Sequence, residues 1–428
     1  AQLRGEQARL TALADAQWQA QPDRHPHRVV HFGDFVFKPP SWLASIDWGV
    51  ESHAGRSLFL EGHRQNTASF SEAGQGDGLL RFGQPSPASV ILQLAPLVLI
   101  FVGFGAVAGE CASGTLRAAL LAGANGRAWL LGKSLALWPV ALAALLPIAA
   151  TLPFAGLQAA DAWQRAGWLL LAYAAYLVLW CIVVTLVSAL ARSAHAALLG
   201  LLCVWVLWCV ALPRAAPALA AFAHPAPERV VSEIRVEDAL KAVGDSHNPD
   251  DPYFAAFRAR TLARYGVDTV EALPVNYGGL VMLEGERLTS EAHAAETRRV
   301  DALHAAQNRL VDAFAWIAPP VAAAVASRSL AATDADHHRH FVAAGEARRY
   351  ALVQALNQLH AEKIAYRNDR AQRLHADHWD AIPRTPYRPP SLAFAWPRAQ
   401  PALLALLAWL AILAAGLHLC GRWLERRA

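Results

Sequence analysis

"AGWLLLAYAAYLVLWCIVVTLVSALA", residues 166–191, contains no charged side chain. A helix rises about 1.5 Å per residue and the hydrocarbon core of a bilayer is about 30 Å thick, so about 20 apolar residues cross it. This stretch exceeds that length. A buried helix of a soluble domain is usually shorter and keeps a polar face, whereas here apolar residues lie on every side. The stretch therefore reads as a membrane span. Four others meet the same test: residues 87–109 and 134–160 before it, and 196–213 and 399–421 after it. In the last, His418 is the only side chain that titrates near neutral pH.

The 428 residues are 55% hydrophobic and 17% charged, a moderate balance for a membrane protein until it is divided by region. The charges gather in residues 1–86 and 214–398, so two polar segments alternate with the spans. A formal net charge of +4, dispersed along the chain, gives no argument for nucleic acid.

Lysine and arginine in short loops set orientation. The loop at 110–133 carries Arg117, Arg127 and Lys133 against Glu110 alone, the link "ARSAH" carries Arg192, and the tail "GRWLERRA" carries three arginines against Glu425. The connection around Asp161 and Arg165 is balanced. The basic loops are expected in the cytoplasm and both polar segments outside. Five spans then put Ala1 outside, and because no export signal precedes it, a sixth, upstream membrane helix is expected beyond this sequence. The fold expected is mainly α: a polytopic membrane protein with five transmembrane helices here and a mostly helical extracytoplasmic domain. Its divisions are an extracytoplasmic segment at 1–86, spans at 87–213 enclosing the cytoplasmic loop at 110–133, an extracytoplasmic helical domain at 214–398, a last span at 399–421 and a cytoplasmic tail at 422–428. Cys181, Cys203, Cys209 and Cys420 fall in spans and Cys111 at a boundary, so no disulfide framework supports the outer segments.

Within the outer segments, residues 1–19 read as a helix and "HFGDFVFKPPSWLASIDWGV" as irregular or short-strand structure. "SEAGQGDG" at 71–78 reads as a loop. Val300, Leu303, Leu310, Phe314 and Ile317 recur at helical spacing, which predicts one long helix over 284–317 that Pro319 and Pro320 end. Phe341, Leu352, Leu356, Leu359 and Tyr366 predict a second over 336–379. An antiparallel hairpin with a packed seam accounts for both stripes better than a binding groove.

"GTLRAALLAGANGRAWLLGKS", residues 114–134, ends like a phosphate-binding loop. That motif needs a glycine, four residues, then Gly-Lys-Ser/Thr, so that consecutive N–H groups curl round the phosphates. The required glycine falls on Arg127, and Trp129, Leu130 and Leu131 suit a helix better than a cradle. Glu110 stands at the end of a span, where a carboxylate is costly unless hydrated or paired. Arg117 or Lys133 could pair with it, or it is a solvated boundary residue.

Asp334, Asp336, His337, His338 and His340 form a candidate extracytoplasmic functional cluster, with His375 and His378 further on. Imidazoles on one helical face can chelate zinc or copper. The same run reads as a helix start, with acidic residues beside the positive end of the dipole. The second reading is preferred, because His338 leaves the face of the other two and no cysteine assists; no metal is expected. No H-E-x-x-H pair, G-x-S-x-G elbow or CxxC is present, so no catalytic residues are assigned.

Glu110 followed by "GTL" and "LLGKSLA" before a span resembles the cytoplasmic loop of ABC-2 type transporter permeases. "HFGDFVFKPPSWLASIDWGV", "LEGHRQN", "VNYGGLVMLEGE", "ATDADHHRHF" and "YRPPSLAFAW" resemble, in the same order, the multicopper-enzyme-maturation branch of that family, which has a large extracytoplasmic domain of unknown function. The resemblance implies a non-catalytic permease subunit in the bacterial inner membrane. It implies a loop, with Glu110, Gly114, Thr115, Leu116, Arg117 and Leu120, that docks on a separate ATPase subunit. ATP and Mg would be bound by that partner and not by this chain. A second permease copy or a paralogous permease and the lipid bilayer complete the expected partners. A different class remains open: a membrane-anchored extracytoplasmic module that assists maturation or metal loading of an exported metalloprotein. A sensor is a third. Cargo and direction are not legible.

Overall fold

A computed structural model describes residues 2–62, 64–66, 86–154, 157, 160–244, 248 and 251–426; the loop expected at 71–78 lies outside them. The described chain is mainly helical, with five helices long and apolar enough to cross a membrane: Pro87–Ser113, Gly126–Phe154, Ala162–Leu190, Ala194–Ala223 and Leu392–Glu425. The last two run well past their apolar cores, because helical hydrogen bonding does not stop where hydrophobicity does.

The third span is the centre of the bundle. Of its most apolar window 61% is buried, against 17–39% for the other four. Tyr173, Tyr176 and Trp180 are completely buried in it. Neighbouring helices cover most of it and its remaining surface is apolar, so its sequence has no polar face. It also satisfies backbone groups that prolines and turns release in its neighbours, a strict need where no water can reach them. Pro96 cannot donate to the carbonyl of Leu92, and the first span relaxes into a π-turn at Val90–Leu94; the Tyr176 hydroxyl donates to that carbonyl at 2.7 Å. Lower down the first span breaks between Gly103 and Ala108. There Ser188 Oγ accepts from the N–H groups of Val107 and Ala108, both at 3.1 Å, and donates to the carbonyl of Phe104 at 2.7 Å.

The polar segments form one packed outer domain at the opposite end from the 110–133 loop. Its helices are α1 (Gln2–Gln19), α2 (Pro26–Phe32), α3 (Arg229–Val243), α4 (Pro252–Tyr265), α5 (Tyr277–Ala313), α6 (Pro319–Leu330) and α7 (Ala335–Lys363). The aromatic stretch supplies β1 (Asp34–Phe37), which pairs antiparallel with β2 (Ser57–Leu60), Asp34 opposite Leu60. Helices α5 and α7 form the antiparallel hairpin. Gly279 lies against Ala361 at one end, where a Cβ would come within 2.4 Å of backbone, and Arg349 meets Glu286 further along. Asn276 caps α5 through its side chain, so the helix begins seven residues before the expected 284.

Two expectations need correction. Pro319 and Pro320 do follow the long helix, but as the first turn of α6, where a missing N–H costs nothing. This helix is almost wholly buried and packs along the start of the fifth span, small residues on both sides: Ala322, Ala323 and Ala326 on one, Ala395, Ala399 and Ala402 on the other. The second long helix ends at Lys363, not 379. Ile364 is extended, Asn368 adopts φ 62, and the Gln372 side chain bonds both the N–H and the carbonyl of Ala365, closing a turn. Tyr366 is consequently exposed while Phe341, Leu352 and Leu356 are buried.

A buried charge network ties the segments together. Arg349, 1% exposed, reaches Glu286 at 2.7 Å and Glu346 at 2.8 Å, and donates to the carbonyl of Glu61. Asp34 takes both Arg348 and Arg384.

Candidate functional site

The loop at 110–133 is built as two short helices and a capped span start. Gly114, at φ 77, separates Ala108–Ser113 from the loop helix Thr115–Leu121, a left-handed conformation that favours glycine. Thr115 Oγ1 lies 2.8 Å from Ser113 Oγ across that joint. Asn125 caps the second span by accepting from Ala128 N–H, and the N–H of Gly126 donates to Glu425 of the chain's tail at 2.8 Å. Gly126 and Gly421 cross so closely that a Cβ on Gly126 would stand 2.6 Å from the Gly421 carbonyl oxygen.

No phosphate cradle forms there. Gly126–Ala136 is continuous helix, and Lys133 is committed to an ion pair with Glu110. Trp129 Nε1 donates to the other Glu110 oxygen at 2.8 Å. Of the alternatives open for Glu110, pairing is the one found, with Lys133 and not Arg117.

The loop helix presents two faces. Leu116, 2% exposed, inserts into a cluster with Val107, Leu130, Ile182, Leu417 and Leu424, residues of the first, second, third and fifth spans. Leu120 packs against the edge of that cluster. Leu116 therefore anchors the helix to its own spans. The exposed face carries Arg117, Ala118 and Leu121, the last 68% exposed.

At the other end, the five residues of the outer cluster do not converge. Asp334 caps α7, accepting from His337 N–H at 2.9 Å and from His337 Nδ1 at 2.6 Å. Burial pushes the Asp334 carboxyl up, but these hydrogen bonds outweigh it and hold the group below its usual range. His337 packs on Phe394. His340 turns to the Tyr387 hydroxyl at 3.1 Å. His338 faces Phe341, and burial, with Lys38 and Arg339 nearby, pushes its pKa down to about 4. Asp336 pairs with Arg339 and lies 3.2 Å from Arg398, which also grips Asp312 through two nitrogens. The helix-start reading accounts for this arrangement. His375 and His378 are exposed and lie beyond α7.

Two features escaped the sequence reading. A cavity of about 620 Å³ opens where α5, α7 and the fifth span meet, lined by Asp301, Asp312, Asp336, Arg339, His340 and Arg398. Separately, His25, His360 and Asp369 bring three ligand-type atoms within 4.8 Å of one another. His25 lies 344 residues before Asp369 in the chain, and nothing in their local sequence marks them.

Five spans and one folded polar domain define the class: a polytopic, mainly helical membrane protein. A family model described as "Domain of unknown function (DUF3526)" matches residues 232–388, the stretch from α3 to just short of the fifth span, so the protein carries that domain. No curated protein and no solved structure matches the chain.

Proposed function

We propose that this chain is the permease subunit of an ATP-binding cassette transporter, coupling ATP hydrolysis by a separate subunit to export or mechanical work across the bacterial inner membrane. The observation that supports this best is the construction of the loop helix. Its outer face offers Arg117, Ala118 and Leu121 to a partner, while its inner face drives Leu116 between four spans. A push on such a helix moves several spans together, because a close-packed interior transmits displacement instead of absorbing it. The break in the first span held by Ser188 supplies Val107 to the same cluster. The basic residues of this end, Arg117, Arg127, Lys133, Arg192 and Arg422, favour the cytoplasm for it and the exterior for the outer domain. ATP and Mg are bound by the partner ATPase, and a second copy or a paralogous permease completes the pathway.

Leu121→Asp tests the reading. It puts a charge into the proposed contact, where desolvation without a partner costs several kcal/mol, yet leaves the chain's own core untouched. The variant should insert and accumulate normally while the ATPase subunit is lost on purification or its activity becomes uncoupled from transport. Unchanged co-purification and coupling would remove this face from the interface.

A further inference from the structure

We propose that His25, His360 and Asp369 form a binding site for a divalent metal ion of the zinc type, placed where the first outer segment is clamped to the end of α7. Three elements build it. His25 is the residue that caps α2, His360 stands in the last turn of α7, and Asp369 opens a 3₁₀ turn set by Asn368 at φ 62. A pair of backbone hydrogen bonds between Arg24 and Leu374, at 3.2 and 2.9 Å, fixes the first of these against the third. Asn276 N–H donates to the Ala361 carbonyl at 2.7 Å beside the second.

The donor set is two imidazoles and one carboxylate, without thiolate, which suits zinc and its neighbours better than magnesium or calcium. Both Nε2 atoms aim at the same Asp369 oxygen, His25 at 2.9 Å and His360 at 3.0 Å. Ligand atoms about 2.0–2.2 Å from a tetrahedral zinc lie roughly 3.3 Å apart, so the carboxylate oxygen must part from each imidazole by a few tenths of an ångström, while the two Nε2 atoms, within 4.8 Å of each other, close round the ion. Both histidines are buried, while the Asp369 side chain keeps 30% of its surface open as an entry path. Gly278 leaves room on one side: a Cβ there would stand 3.6 Å from Asp369 Oδ2 and 3.8 Å from His360 Cε1. Close by, the Nδ2 of Asn276 is buried without a hydrogen-bond partner, a donor available to a metal-bound water. Burial favours the neutral, ligating form of His360, and its Nδ1 has no partner that would fix the opposite tautomer.

Without an ion, the same atoms make a carboxylate shared by two imidazole N–H donors, and His25 Nδ1 accepts from His27 N–H at 3.2 Å. Ligation through Nε2 moves the His25 proton to Nδ1, so the His27 contact must be given up. This tells the two states apart. The site is distinct from the run at 337–340 and departs from the expectation that the chain holds no metal.

The full-length chain in lipid nanodiscs, stripped with chelator and then dialysed against zinc, should retain about one zinc per chain by elemental analysis. Cobalt in its place should give the visible bands of a low-symmetry site. His340→Gln should keep the metal. His360→Gln and Asp369→Asn should bind it more than about 100-fold more weakly, since loss of a ligand exceeds the 10–100-fold effect of its supports. If His360→Gln fails to fold, Asp369→Asn, at the open side, decides. Zinc should also speed amide exchange at His27. Wild-type protein without stoichiometric zinc, or metal retained in Asp369→Asn, overturns the proposal.

Discussion

At the scale of single residues, charge is placed where something answers it. Lys133 occupies the position of a phosphate-loop lysine but is held by Glu110 beside Trp129. Lys133→Ala should therefore leave nucleotide binding by the proposed complex with an ATPase unchanged, and ATP crosslinking to Lys133 itself would contradict the proposal. In the outer domain Arg349 and Glu286 are both buried and 2.7 Å apart. Arg349→Met removes the Arg349 charge from a carboxylate with no exposed surface, a loss that costs about 3–5 kcal/mol; chemical denaturation of the two proteins should show it. His338 is held largely by burial at a pKa of about 4, well below the unfolded value. The unfolded chain therefore binds a proton that the folded chain refuses between about pH 6.5 and 4. The stability His338 contributes is complete above that window and is lost as pH falls through it. The melting midpoint should drop on acidification from pH 7 to 4.5, and less steeply in His338→Gln.

Elements in this chain are joined by groups that prolines and breaks set free. Ser188→Ala orphans two buried N–H groups and one carbonyl where the first span breaks, at about 1–3 kcal/mol for each unsatisfied group. That variant should melt earlier while Leu121→Asp should not. The long elements were legible in the sequence because length and periodicity announce them: five apolar runs, and stripes at three- and four-residue spacing. What was missed had no such signal. Helix α6 is twelve residues, four of them alanine, and opens on two prolines that read equally as a stop or a start. The expected end of α7 overruns because Tyr366 follows Leu359 by seven residues, at helical spacing, although it lies beyond the turn that ends the helix at Lys363. Leu116 and Leu121 look alike in sequence; only the packed structure shows which one faces inward. His25, His360 and Asp369 meet through the clamp between two distant segments, and no local pattern could place them together.

For the whole molecule, the account requires one end of the spans to face an ATPase and the other to carry the domain. Cysteines introduced at His375 and Asn125, both exposed, report the orientation in a background without native cysteines. A membrane-impermeant thiol reagent should label the first and spare the second in intact spheroplasts; the reverse pattern would invert the topology. The central claim is that the outer face of the loop helix touches an ATP-binding subunit. A photo-crosslinking residue placed at Leu121, activated in native membranes, tests that contact directly. The account predicts an adduct with an ATP-binding subunit from position 121 and none from position 375. Adducts from 121 with lipid alone, or with proteins that bind no nucleotide, would contradict it.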